Sequence, residues 1–138
     1  MFKINLKGIL INSTIISVIF IADRISKIYI LNLAKYEGAM NIYITEYLNF
    51  YLIWNKGIAF GIFSFDDVFL YNIISLIITI INIVILIMII KTDNFKKYFL
   101  MFILGGSLGN VFDRVYFSAV PDFIDFHINN FHWFIFNV

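Results

Sequence analysis

From Val68 to Ile90 the chain carries no charged residue. About 20 consecutive apolar residues suffice for an α-helix to cross the hydrocarbon core of a bilayer, so this run can span one unaided. Three other uncharged stretches accompany it, Gly8–Ala22, Tyr98–Phe112 and Phe126–Val138. The first two are short, so their helices are expected to continue through the polar residues at their ends. The 138 residues are 62% hydrophobic and 14% charged, against about 25% charged in a soluble domain. A single small domain has no interior large enough to hide that apolar surface. An ordinary globular protein, a disordered chain and a collagen-like chain are all excluded, and a membrane protein remains. There is no cysteine, which excludes disulfides and thiolate chemistry. With two histidines and no cysteine, no metal site is expected. His127 and His132 have no carboxylate at metal-ligand spacing and are read as interfacial. The net charge of +1 offers no general attraction to nucleic acid.

Charge sets an expected orientation. Lys3 and Lys7 precede the first stretch, and Ile21-Ala22-Asp23-Arg24 is a poor cleavage site, so an uncleaved signal anchor is expected. Lys91, Lys96 and Lys97 lie between the second and third stretches, with Asp93 the lone acid on that side. That side carries +4 and the opposite side −3. By the positive-inside rule the N-terminus and the Lys91–Lys97 loop face the cytoplasm. The Asp23–Asp67 segment and the residues after Phe112 then share the outer face.

Asn41–Phe63 does not read as a span. It mixes Glu46, Asn49, Asn55 and Lys56 with aromatic and β-branched residues, and Tyr47–Leu52 partly alternates. Strands lying at the membrane surface are expected there, punctuated by Gly57 and Gly61.

The polar residues near the span ends are the candidates for chemistry. Asp23 and Lys27 are four apart and share a helix face. The bland reading is an interfacial ion pair with Arg24 snorkelling to the headgroups; the sharper one is a functional cavity. Asn55-Lys56-Gly57 is either a plain turn or a place where another backbone is held. Gly105 and Gly109 form a small-xxx-small surface for close helix packing. Asn110, Asp113 and Arg114 follow one turn apart as a polar cluster. Asp122, between Pro121 and Phe123, reads either as a solvated loop aspartate or as one at the interface, where partial desolvation raises a carboxylate's pKa.

In order, these motifs are Asp-x-x-x-Lys, Asn-x-Gly-x-Ala-Phe, Gly-Gly-x-x-Gly-Asn-x-x-Asp-Arg, Val-x-Asp-Phe, and Phe-Asn near Trp133. The whole chain resembles the lipoprotein signal peptidase (signal peptidase II) family. The resemblance implies a mainly α membrane protein, a small bundle of four transmembrane helices with a periplasmic β-cradle. Helices are expected over residues 8–32, 68–90 and 98–114, with the start of a fourth over 130–138. The cradle is expected over 41–63, and a short interfacial helix near Phe65–Asp67. The implied activity is that of an aspartic endopeptidase of the bacterial inner membrane. Such an enzyme cuts diacylglyceryl-modified prolipoproteins before the lipidated cysteine, on the outer face, as a monomer among membrane lipids and without a cofactor. Asp122 matches the first catalytic aspartate. Asp23, Lys27, Asn55, Gly57, Asn110, Arg114 and Asn137 match positions that bind substrate or support the site.

The sequence departs from the family pattern at three places. Ser118 stands where Gly is common, and Phe134 where Pro follows Trp133. The family's closing motif, Phe-Asn-x-Ala-Asp, is matched only through Phe136-Asn137-Val138, and its second catalytic aspartate falls two residues beyond Val138. Two neighbouring carboxylates share a proton because both cannot ionise, so one supplies the base and the other the acid. Residues 1–138 alone are therefore expected to be inactive. Asp125 and Asp113 are the substitutes to consider for the second carboxylate. The alternatives weighed are a relative that binds lipidated precursors without cutting them, and a small transporter or channel subunit. The second span offers the latter only Asn72, Ser75, Thr79 and Asn82, and no charge.

Overall fold

The computed structural model describes residues 6–37, 41–57 and 67–138. Among these, three helices and four strands follow one another: α1 (Leu6–Glu37), β1 (Asn41–Thr45), β2 (Leu48–Asn55), α2 (Val68–Lys91), α3 (Lys96–Phe117), β3 (Val120–Ile128) and β4 (Phe131–Phe136). At 1.5 Å per residue, α1 is about 48 Å long and α2 about 36 Å. Both are long and apolar enough to cross a membrane. Only Tyr71, Ile74, Asn82 and Ile89 of α2 are buried within the protein. A helix apolar on all sides that leaves most of itself uncovered is suited to lipid. Asp67 caps α2, accepting from the Phe69 and Leu70 amides at 2.8 and 3.0 Å. Asp67 is also the one described residue of the expected interfacial helix. Ile58–Phe63, the end of the expected cradle, also lies outside the described residues.

The strands form one antiparallel sheet in the order β1-β2-β3-β4. The cradle expected over 41–63 thus recruits a second half from beyond α3. The fourth helix expected from residue 130 is not there: Phe131–Phe136 is a strand, paired with β3. Two things favour the hairpin. The Phe, Trp and Ile side chains of this segment pack well on a pleated surface, and Asn129, at φ 52°, takes the left-handed conformation that turns the chain.

Two apolar clusters hold the layers together. At one end Ile30 of α1 meets Phe123 of β3, with Leu33, Phe50 and Leu52 around them, so the second half of α1 lies over the sheet. At the other, Ile89, Met101 and Leu104 pack with Ile15 and Ile16, joining the three helices. The α1–α3 crossing is close because Gly105 lies against Ile19 and the Ile16 carbonyl; a Cβ there would sit 2.7 and 3.0 Å from them.

α3 ends at Ser118, whose φ of 56° and ψ of 22° are left-handed. This is the position where the resembled family commonly has Gly, and the backbone supplies the reason. A side chain in this conformation costs about 1–2 kcal/mol. Ser118→Gly is expected to stabilise the fold by up to about 1 kcal/mol, read as a higher midpoint of thermal unfolding in detergent.

Candidate active site

Two turns of α1 and two of α3 bring four charges together. Asp23, Lys27 and Asp113 are fully buried, and Arg24 nearly so. The Lys27 ammonium donates to Asp113 Oδ2 and Asn110 Oδ1 at 2.7 Å and forms an ion pair with Asp23 Oδ1, also at 2.7 Å. The Arg24 guanidinium spans both carboxylates, at 2.7 Å from Asp23 and 2.6 and 2.7 Å from Asp113. Its face lies 4.9 Å from the Phe112 ring centroid. The cluster is electrically neutral, which is what burial of charges at membrane depth requires. Gly109 makes room for it, because a Cβ there would land on the Asp23 carboxylate.

Beside this cluster lies Asp122, buried on β3. Asn55, at the end of β2, donates to Asp122 Oδ2 at 2.8 Å. Asn137, just past β4, donates to Asp122 Oδ1. The Asn55 amide cannot turn over, since its own oxygen accepts from the Gly57 N–H at 2.8 Å. Burial raises the Asp122 pKa above its ordinary value of 3.8, and the two amide donors and the more distant Lys27 and Arg114 charges only partly offset it. Arg114 donates through Nη2 to the Gly57 carbonyl, and its plane lies 5.7 Å from the Tyr71 ring centroid. Its Nε and Nη1 are buried and have no partner among the described residues.

These groups open onto a cavity of about 410 Å³. Asn55, Asn110, Arg114, Asp122 and Asn137 supply its polar side; Ile78 and Phe102 supply part of its apolar side. The residues singled out in the sequence, Asp23, Lys27, Asn55, Gly57, Asn110, Arg114, Asp122 and Asn137, thus come together from α1, β2, α3, β3 and the residue after β4. Arg24 does not snorkel to the headgroups: it is the second bridge of the charge cluster. Asp113 was not foreseen in that role, although charge balance pointed to it. Asp23, Arg24 and Lys27 sum to +1, and burying them calls for another anion. Neither Asp113 nor Asp125 faces Asp122 across the cavity; Asp113 is held by Arg24 and Lys27, and Asp125 by His132 at 2.8 Å. The contact with His132 also corrects the expectation that the histidines lack a carboxylate neighbour. The β3–β4 hairpin folds residues seven apart in sequence onto one another.

A buried carboxylate held by two amides at a cavity beside apolar helices is the kind of group that acid–base chemistry in a membrane enzyme requires. Comparison with known proteins agrees. Residues 15–138 match the family model described as signal peptidase (SPase) II. The lipoprotein signal peptidase of Pelagibacter ubique is 54% identical over 136 residues, covering 99% of this chain and 82% of the relative. That of Anaplasma phagocytophilum is 38% identical over 131 residues, covering 94% and 81%. A bacterial membrane enzyme solved by the in meso method at 2.3 Å superposes with a TM-score of 0.66 at 26% identity, covering 91% of this chain and 76% of that one. The chain belongs to the signal peptidase II family, which is a family of aspartic endopeptidases.

Two predictions follow from the geometry. Gly109→Ala pushes the Asp23 carboxylate out of the cluster and leaves Lys27 and Arg24 short of a buried counter-charge. A loss of about 3 kcal/mol or more is expected, measured by unfolding in detergent. Asp122→Asn can keep its neighbours, accepting from Asn55 while donating to a flipped Asn137. Because burial raises the folded-state pKa of Asp122, its contribution to stability is complete below about 3.8 and is lost as pH rises through the folded value. The fall in thermal midpoint from acid to neutral pH should therefore be smaller in Asp122→Asn than in the parent.

Proposed function

We propose that this chain removes the signal peptide from diacylglyceryl-modified prolipoproteins, cutting before the lipidated cysteine, with Asp122 as one of two carboxylates that activate water. The observation that carries the reading is the setting of Asp122. It is buried, its pKa is raised, both its oxygens are held by amides, and it borders a cavity with an apolar side. The resemblance puts the second aspartate two residues past Val138. Val138 lines the same cavity as Asp122.

With a proton shared between them, the ionised carboxylate takes a proton from water as its oxygen attacks the scissile carbonyl. The protonated one donates to the carbonyl oxygen and, as the tetrahedral intermediate collapses, a proton passes to the leaving amine. Asn55 and Asn137 fix the orientation of Asp122. The open Nε–H and Nη1–H of Arg114 are donors for a carbonyl of the extended precursor. Ile78, Phe102 and Ile103 offer apolar surface to the acyl chains. Asp23, Lys27 and Asn110 act as positioning residues behind the cavity, and Gly57 presents its carbonyl to Arg114. The enzyme works as a monomer in the bacterial inner membrane. Its N-terminus and Lys91–Lys97 loop face the cytoplasm, and the sheet and Asp122 face the periplasm. Exposed Trp54, Trp133 and Phe131 suit the headgroup level. The relatives are named as peptidases, and no observation favours the binding-only alternative.

The test is processing of a diacylglyceryl-modified precursor in detergent, followed by gel shift. A chain that carries the expected second aspartate should process it, and replacing that aspartate by Asn should lower turnover by roughly 10⁴-fold, as when a catalytic group is lost from a triad. In the longer chain Asp122→Asn should abolish turnover and leave precursor binding largely intact. Normal turnover by that variant would remove Asp122 from the chemistry.

A further inference from the structure

We propose that Asp125, His127 and His132 bind one divalent ion of the zinc type, forming a clasp on the β3–β4 hairpin separate from Asp122. The register of the hairpin places His127 opposite His132. Their rings stack with centroids 5.1 Å apart and planes 21° apart. Asp125 lies two residues before His127 on the same strand. The Nδ1 atoms of His132 and His127 approach its Oδ2 at 2.8 and 3.9 Å. One ligand atom from each of the three residues falls within 4.8 Å of the others. Zinc–nitrogen and zinc–oxygen bonds of about 2.0–2.2 Å put tetrahedral ligand atoms roughly 3.3–3.6 Å apart. Small side-chain rotations separate the close pair and draw in the distant one.

A second observation points the same way. The His127 side chain is only 10% exposed, yet its Nδ1 has no hydrogen-bond partner among the described residues. A buried polar atom left in that state is costly. On β2, in register with Asp125, Asn49 also holds a buried Oδ1 with no partner among the described residues. Asn49, Asp125 and His132 line one cavity of about 330 Å³. A plain His132–Asp125 ion pair accounts for the 2.8 Å contact and leaves both orphaned atoms unexplained. An ion accounts for all three residues and makes the Asn49 oxygen a candidate fourth ligand. Two imidazoles with a carboxylate suit zinc, whereas calcium and magnesium prefer all-oxygen sets. Such a clasp ties β4 to β3 shortly before Asn137, the residue that steadies Asp122.

The chain has only two histidines and no cysteine, which makes the test direct. The 138-residue chain, free of any histidine tag, is labelled with ¹⁵N in its imidazoles and titrated with zinc in detergent micelles. Both imidazoles should shift together and saturate at one equivalent, with Nδ1 as the ligating nitrogen of each. His132→Gln and His127→Gln should each weaken zinc binding at least about 10-fold, and zinc should raise the thermal midpoint of the parent but not of these variants. The parent spectrum needs no variant to fold. A shift of exposed His132 alone, or affinity unchanged in His132→Gln, means an adventitious ion only and overturns the proposal. No imidazole shift at millimolar zinc overturns it as well.

Discussion

The neutral cluster of Asp23, Arg24, Lys27 and Asp113 is the interaction on which the remaining structure depends. Two cations and two anions taken out of water stabilise a protein only if nearly every donor and lone pair is used. Here Lys27 lies against three oxygens and donates to two of them, and Arg24 grips both carboxylates. The pairing fixes α1 against α3 in rotation as well as in distance, something apolar packing against lipid-like side chains does weakly. Gly105 and Gly109 are its steric conditions. With α3 so fixed, Asn110 and Arg114 face one cavity, and the chain leaves α3 through Ser118 directly into β3 and Asp122.

At Asp122 the balance is different. Two neutral amides donate to its carboxylate. Burial therefore wins over hydrogen bonding and the pKa rises. A group in direct contact with Lys27 or Arg114 would be locked in the ionised form and poor at exchanging a proton. The protein keeps its strong charge pairs one layer back and leaves Asp122 with neutral donors. Charges that order the scaffold and a carboxylate free to change state are thereby separated within a few side chains.

Much of this was legible in the sequence. The three helices followed from uncharged length, the Asp23–Lys27 pair from its i,i+4 spacing, and the eight clustered positions from motif order. What was not legible depends on pairings between distant segments. Arg24 read as a lone helix-end charge because its two carboxylate partners are known only once α1 meets α3. Residues 130–138 read as the start of a helix because a short apolar run carries no decisive period; the edge of β3, available only after folding, makes Phe131–Phe136 a strand. The closeness of Asp125 to both histidines has the same origin, a turn at Asn129-Asn130 inside an apolar stretch.

The central claim is that a lipidated precursor lies in the cavity bordered by Asp122, with its acyl chains on the α2–α3 side. The most direct measurement is photo-crosslinking with a precursor carrying a diazirine in the diacylglyceryl group, followed by mapping of the adducts by mass spectrometry. The account predicts adducts on Ile78, Phe102 and Ile103, which line that cavity. Adducts confined to the opposite apolar surface, on Tyr47, Phe126 and Phe131, would contradict it.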